Sequence, residues 1–193
     1  MVSQSQQTSC SGSIVVSFMR ANPPTIGHKK VIEKICSTAK SLNCDSILFL
    51  SASHDRKKNP IPFRTRRDII KSAIPEIEIH YTPVKDLYSM LNILSLRGYR
   101  TVYIVAGSDR IKEYEKFKKY TNILNFDNII LVSAGERDKY SKQPVECVSA
   151  TYLRELASQE NAEEFKRLCI HCDDKVKAMM LYTLTVLEMN KEG

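Results

Sequence analysis

Two short stretches of this chain carry side chains suited to gripping an anion. The first runs from Arg20 through Asn22, Pro23, Pro24, Thr25 and Gly27 to His28, directly after the β-branched and aromatic run from Ile14 to Met19. The prolines keep the chain out of the helical basin, and Gly27, lacking a Cβ, lets another group come close to the backbone. His28 then opens a segment of helical spacing. At a helix N-terminus the unpaired N–H groups and the positive end of the dipole favour an anion, to which an imidazole adds one directed donor. The second stretch, Val148 to Arg154, has Ser149 and Thr151 as hydroxyl donors at a helix start, with Arg154 able to hold phosphate oxygens in bidentate fashion. Both point to phosphate chemistry.

The first stretch resembles the HxGH signature of the nucleotidyltransferase superfamily. Arg20, Pro23, Gly27 and His28 fit the pattern of the nicotinamide mononucleotide adenylyltransferase type, with Met19 in place of a glycine and Thr25 in place of the first histidine. The second stretch resembles that superfamily's ISSTxIR motif, which opens a late helix and holds the triphosphate. Matching motifs and element order, the likeness spans roughly residues 13 to 158. It implies transfer of a nucleoside monophosphate, AMP from ATP by preference, to a phosphate-bearing acceptor such as nicotinamide mononucleotide, with pyrophosphate released and Mg²⁺ carried on the phosphates. In that reading His28, Arg20, Thr25 and Arg154 do the catalytic work. Gly27, Ser149 and Thr151 hold the nucleotide.

The elements that must position these groups are legible from periodicity. After His28, the residues Val31, Ile32, Ile35, Cys36 and Ala39 recur at helical spacing. Ile47 to Leu50 is a continuous apolar strand of the kind buried on both faces of a parallel sheet. Ile77, Ile79 and Tyr81 alternate with Glu76, Glu78 and His80, which predicts a half-buried strand near the sheet edge with His80 facing solvent. Two further strands are predicted over residues 101–106 and 128–133, and helices over 64–74 and 85–97. The alternation of strands and helices predicts an α/β fold: a doubly wound, mainly parallel five-stranded sheet of the Rossmann-like nucleotidyltransferase kind, followed by C-terminal helices. One domain spans the chain, with residues 1–12 a loose tail and 159–193 a helical extension. Apolar residues along the last helix, among them Val176, Met180 and Leu187, are expected in the core, with a subunit contact as the second reading.

Ligands in such sheets sit beyond the C-terminal ends of the strands. Two loops leave that edge with polar side chains. After the second strand come His54, Asp55, Arg56, Lys57 and Lys58; the lysines and Arg56 can neutralise a phosphate on the acceptor, while His54 or Asp55 can hydrogen-bond its base or sugar. A solvated loop is the equal alternative. After the fourth predicted strand come Gly107 and Asp109, which read as a ligand contact or as a cap for the next helix; the turn resembles glycine-plus-acidic turns of that superfamily that contact the nucleotide's ribose, which implies close backbone approach and carboxylate hydrogen bonds here. The helix from Arg64 resembles an arginine-bearing helix that fixes substrate in many adenylyltransferases, without indicating which of Arg64, Arg66 and Arg67 does so. The segment from Ala134 to Cys147 reads either as a flap over the phosphates or as a connector.

Composition bounds the class. Of the 193 residues, 42% are hydrophobic and 26% charged, as in an ordinary globular protein. No apolar run is long enough to cross a bilayer, and Met1 to Ser13 lacks a signal-peptide core, which leads us to expect a cytoplasmic protein with no membrane partner. The six cysteines are then expected to be reduced. Cys169 and Cys172 have zinc-like spacing but no second pair, so packing thiols are expected and no metal site. The net charge of +7 suits an anionic small substrate or nucleic acid. A cytidylyltransferase using CTP, and a non-catalytic nucleic-acid module built on Lys57, Lys58, Arg64, Arg66 and Arg67, are the alternatives.

Overall fold

The structure is a computed structural model in which residues 12–135 and 148–191 are described. The expected N-terminal tail lies almost wholly outside those residues, as does most of the segment read as flap or connector. Four strands form one parallel sheet: β1 (Ser13–Met19), β2 (Asp45–Leu50), β3 (Thr101–Ala106) and β4 (Asn128–Ser133), in the order β2-β1-β3-β4. Alternation along the strands divides the core. Val15, Leu48, Leu50 and Val105 pack to one side, with helices α1 (Ile26–Leu42) and α2 (Phe63–Ala73). Ile14, Val16, Ile47, Phe49, Val102 and Ile104 pack to the other, against α3 (Leu87–Leu96) and α4 (Ser108–Tyr114). Both faces are therefore covered, as continuous apolar strands require.

The sheet has one strand fewer than expected. The segment around Ile79 does run parallel to β2, but it meets that strand only at the separate bridges Leu48 to Ile79 and Ser51 to Val84. Between them the chain bends at Tyr81 and Thr82, ahead of Pro83, which has no N–H to give a ladder. The bend also reverses the predicted facing of His80. That ring is 4% exposed, stacks on Phe49 with centroids 4.7 Å apart, and approaches the Thr82 carbonyl through Nδ1 at 2.9 Å.

Past α4 the chain continues through a 3₁₀ turn (Glu115–Lys119) and the single turn α5 (Tyr120–Ile123) into β4. Three helices follow residue 148: α6 (Ala150–Ser158), α7 (Ala162–Leu168) and α8 (Lys175–Asn190). They join the same core as α1 through Leu153, Phe165 and Leu181. In α8 the buried positions are Ala178, Leu181 and Thr185, whereas Val176, Met180 and Leu187, expected in the core, are exposed. This helix is apolar on nearly every side, so spacing alone does not select the buried stripe.

The linker from α7 to α8 is sewn to the turn between β1 and α1. Cys169 pairs with Thr25 in an antiparallel bridge, and the Ile170 N–H donates to the Pro24 carbonyl at 3.1 Å. Lys29 pairs with Asp173. Cys169 packs in the core, where burial pushes its thiol up to about 11, and its Sγ lies 3.5 Å from the Lys166 carbonyl. No described helix is long and apolar enough to cross a membrane.

His171, in the same linker, is 6% exposed and contacts the Ser72 hydroxyl through Nε2 at 3.2 Å. Burial, aided by the Lys177 and Lys29 ammonium groups and opposed by Asp174, lowers its pKa below the usual 6.5. Between that lowered value and 6.5 the unfolded chain takes up a proton that the folded chain refuses, so stability falls as pH drops through the window. Urea melts at about pH 7.5 and about pH 5.5 should show a smaller acid-side loss in His171→Gln than in the wild type.

Candidate active site

In the order β2-β1-β3-β4 the direction in which strands are added reverses between β1 and β3, the place where open parallel sheets hold ligands. The pairing explains why a crevice opens there. The β1–β2 ladder continues to Met19 opposite Leu50, but the β1–β3 ladder ends at Val16 opposite Ile104. Ser17, Phe18 and Met19 on one side, and Ala106 and Gly107 on the other, thus line a cavity of about 950 Å³. That volume is at the upper end for small-molecule sites and leaves room for two substrates.

Both stretches singled out in the sequence border this cavity: Arg20, Thr25, Gly27 and His28 from the turn before α1, and Ser149, Thr151 and Arg154 from the start of α6. Thr25 is the N-cap of α1, in extended conformation, and its Oγ1 accepts from the His28 N–H at 3.3 Å. Its own N–H donates to His28 Nδ1 at 3.0 Å. A backbone N–H can only donate, so Nδ1 must be the acceptor, and the neutral ring carries its proton on Nε2. The turn therefore sets the histidine's tautomer. Thr25 is 1% exposed and already engaged with the cap and the ring, which makes it an orienting group for His28 more than a second phosphate donor.

At the other border Ser149 caps α6, accepting from the Tyr152 N–H at 3.0 Å. Arg154 donates to the Thr151 hydroxyl at 2.9 Å and to the Asn22 carbonyl at 2.6 Å. Each hydroxyl, by accepting, keeps its O–H proton for a ligand. Partial burial lowers the Arg154 pKa without threatening its charge.

Asn22, which sequence reasoning passed over, fixes the turn. Its amide donates to the Ile61 carbonyl at 2.9 Å and accepts from the Ile61 N–H at 3.0 Å, with 1% exposure. The peptide bond between Asn22 and Pro23 is cis, and Ala21 before it has φ +46°. The only sequence signal was an amide beside a Pro-Pro pair, and its partner lies 39 residues away.

The remaining candidates divide. Lys57 and Lys58 line the cavity, while His54, Asp55 and Arg56 do not. Asp55 organises its own loop, accepting from the Lys58 N–H at 2.7 Å and from Asn59 Nδ2 at 2.6 Å; these hydrogen bonds hold its carboxyl below the usual range. His54 contacts the Pro60 carbonyl through Nε2 at 3.2 Å. Gly107 and Asp109 both line the cavity, and Gly107 is the N-cap of α4. A Cβ on Gly107 would come within 2.8 Å of Asp109 Oδ1, so the glycine makes room for that carboxylate. None of Arg64, Arg66 and Arg67 lines the cavity. Lys30, Lys116, Tyr114 and Phe117 do, although nothing in their spacing set them apart from ordinary helix positions.

Among the described residues no group of three or more His, Cys, Asp and Glu side chains is placed to hold a metal by itself. An ion brought in on phosphates would take its oxygens from them, from water and from a cavity carboxylate such as Asp109.

A parallel sheet with its crevice at the β1/β3 reversal, bordered by two helix starts, is an open, Rossmann-like α/β fold. Two solved structures share it in particular. One, assigned as a nicotinate-nucleotide adenylyltransferase from Vibrio parahaemolyticus, has 16% identity and a TM-score of 0.56 over 88% of this chain and 97% of its own. The other is the Plasmodium falciparum nicotinic acid mononucleotide adenylyltransferase complexed with APC, an ATP analogue, at 16% identity and a TM-score of 0.60 over 90% and 97%. No protein-family model and no curated protein sequence matches the chain.

Replacing Asn22 by Ala should cost about 1–3 kcal/mol, because the buried Ile61 N–H and carbonyl lose their partner. Urea unfolding of the variant against the wild type measures this.

Proposed function

We propose that the chain is a nucleotidyltransferase that transfers AMP from ATP to a phosphomonoester, with nicotinate or nicotinamide mononucleotide as the favoured acceptor. One observation supports this above all: the turn bearing His28 and the helix start bearing Arg154, 126 positions apart in sequence by subtraction of their numbers, border the same cavity. The two solved neighbours, one holding an ATP analogue, support the nucleotide and the acceptor class.

The acceptor's phosphate oxygen attacks the α-phosphorus of ATP. A new P–O bond forms as the bond from the α-phosphorus to the bridging oxygen breaks, and pyrophosphate leaves with the electron pair. No protein nucleophile enters. The chain's contribution is alignment of two anions and stabilisation of charge on the bridging and leaving oxygens. His28, with its proton on Nε2, donates to the α- or β-phosphate from the first turn of α1. Arg20 and Arg154 take up the outgoing pyrophosphate, and Ser149 and Thr151 complete its cradle at the start of α6. Gly27 allows the close approach. Gly107 and Asp109 meet the ribose at the tip of β3, and Lys57 and Lys58 meet the acceptor's phosphate. Magnesium, when bound on the phosphates, neutralises part of their charge and polarises the leaving group.

The test is pyrophosphate release with each of the four nucleoside triphosphates, Mg²⁺ and a panel of phosphomonoesters that includes both mononucleotides. ATP should support turnover. CTP alone doing so would replace adenylyl by cytidylyl transfer, and turnover with neither, alongside salt-sensitive oligonucleotide binding, would leave a nucleic-acid module. In the active system His28→Ala should lower kcat by about a hundredfold or more, as loss of one transition-state donor does. An unchanged rate in the folded variant would remove His28 from the mechanism.

A further inference from the structure

Behind the floor of the cavity lies a buried cation with no acidic partner among the described residues. Arg66, in the first turn of α2, is 0% exposed and is among the largest fully buried side chains of the described residues. Its two terminal nitrogens donate to backbone carbonyls: Nη1 to that of Arg20, just past the end of β1, and Nη2 to that of Ser51, just past the end of β2, at 2.8 Å. The third nitrogen, Nε, is buried and has no hydrogen-bond partner. Among the described residues no carboxylate forms an ion pair with this guanidinium, although the same helix places Asp68 beside Arg67.

Burying an unpaired charge is among the most expensive things a fold can do. The desolvation is visible in the Arg66 pKa, lowered to about 10 by burial alone. Arginine still keeps its proton near neutrality, so the charge is real in the resting protein. Two carbonyl dipoles answer part of it. Both carbonyls belong to residues that line the cavity, Arg20 and Ser51, so the guanidinium is bonded to the backbone of the lining without itself being part of it.

We propose that Arg66 is a positioning residue and built-in counter-charge for the polyphosphate: it braces the ends of β1 and β2 from behind, and its positive charge acts on the triphosphate that fills the cavity. This rests on the nucleotide reading given above. A low-dielectric wall transmits such a charge with little screening, so it can act without contact. The same fork fixes the Arg20 carbonyl, and with it the path of the backbone into the Asn22 turn. Arg66 thus acts through position and field, and Arg20, His28 and Arg154 through contact.

The experiment measures binding of inorganic tripolyphosphate and of adenosine, separately, by calorimetry on the full chain and on Arg66→Lys and Arg66→Gln. Arg66→Gln should weaken tripolyphosphate by about tenfold or more while leaving adenosine within about twofold, and Arg66→Lys, which keeps the charge, should retain most of the tripolyphosphate affinity. Equal tripolyphosphate binding by the wild type and Arg66→Gln would overturn the proposal while leaving the nucleotide reading intact. Loss of adenosine along with tripolyphosphate would reduce Arg66 to a structural brace, and an equal fall in both variants would assign the effect to the hydrogen-bonding fork and not the charge; either result overturns it. Failure of the wild type to bind tripolyphosphate at all would sink the nucleotide reading, and this proposal with it.

Discussion

The pair of hydrogen bonds between the Asn22 amide and the Ile61 backbone is the constraint on which the rest of the site depends. The turn between β1 and α1 has no ladder and no helix of its own, so its shape must be imposed from outside. Asn22 ties it to the loop before α2, Arg66 to the ends of two strands, Arg154 to α6, and the backbone of Cys169 and Ile170 to the C-terminal helices. Segments from four regions of the chain therefore agree on one backbone path. His28 inherits its orientation from that agreement, because both groups that hold Nδ1 belong to Thr25.

The sheet supplies the space that this turn borders. A ladder that stops at Val16 on one side of β1 and runs to Met19 on the other separates β1 from β3 without breaking the core beneath. The crevice follows from strand order and not from any special residue in the strands. Helix starts at Ile26 and Ala150 then face it, giving two fixed positive poles across one volume. Fixed dipoles of this kind need no rearrangement when charge develops, which is the general advantage of a preorganised polar site.

How much of this was readable beforehand depended on the range of the interaction concerned. β1, β2, β3 and β4 announced themselves as apolar runs, and the helix starts at Thr25 and Ser149 as capping residues, because both signals are local. The segment around Ile79 shows the opposite case. Its alternation was real, but Pro83 and the bend before it broke the ladder and turned His80 inward, onto a Phe49 ring that no local pattern could supply. Asp55 read as a ligand donor because its type and position suited one; the competing demand of its own loop for a carboxylate won. Arg66 stood among three arginines that the sequence could not rank. Only the tertiary placement of Arg20 and Ser51 distinguishes it.

The stitching of Cys169 and Ile170 to Pro24 and Thr25 has a bearing on how the molecule is made. During synthesis the turn between β1 and α1 emerges about 145 residues before the backbone partners that hold it, by the difference between positions 170 and 25. A nascent chain can form the β1–α1–β2 unit and still lack a finished turn until the linker from α7 to α8 has emerged. Completion of the turn is thereby postponed until that linker has been made.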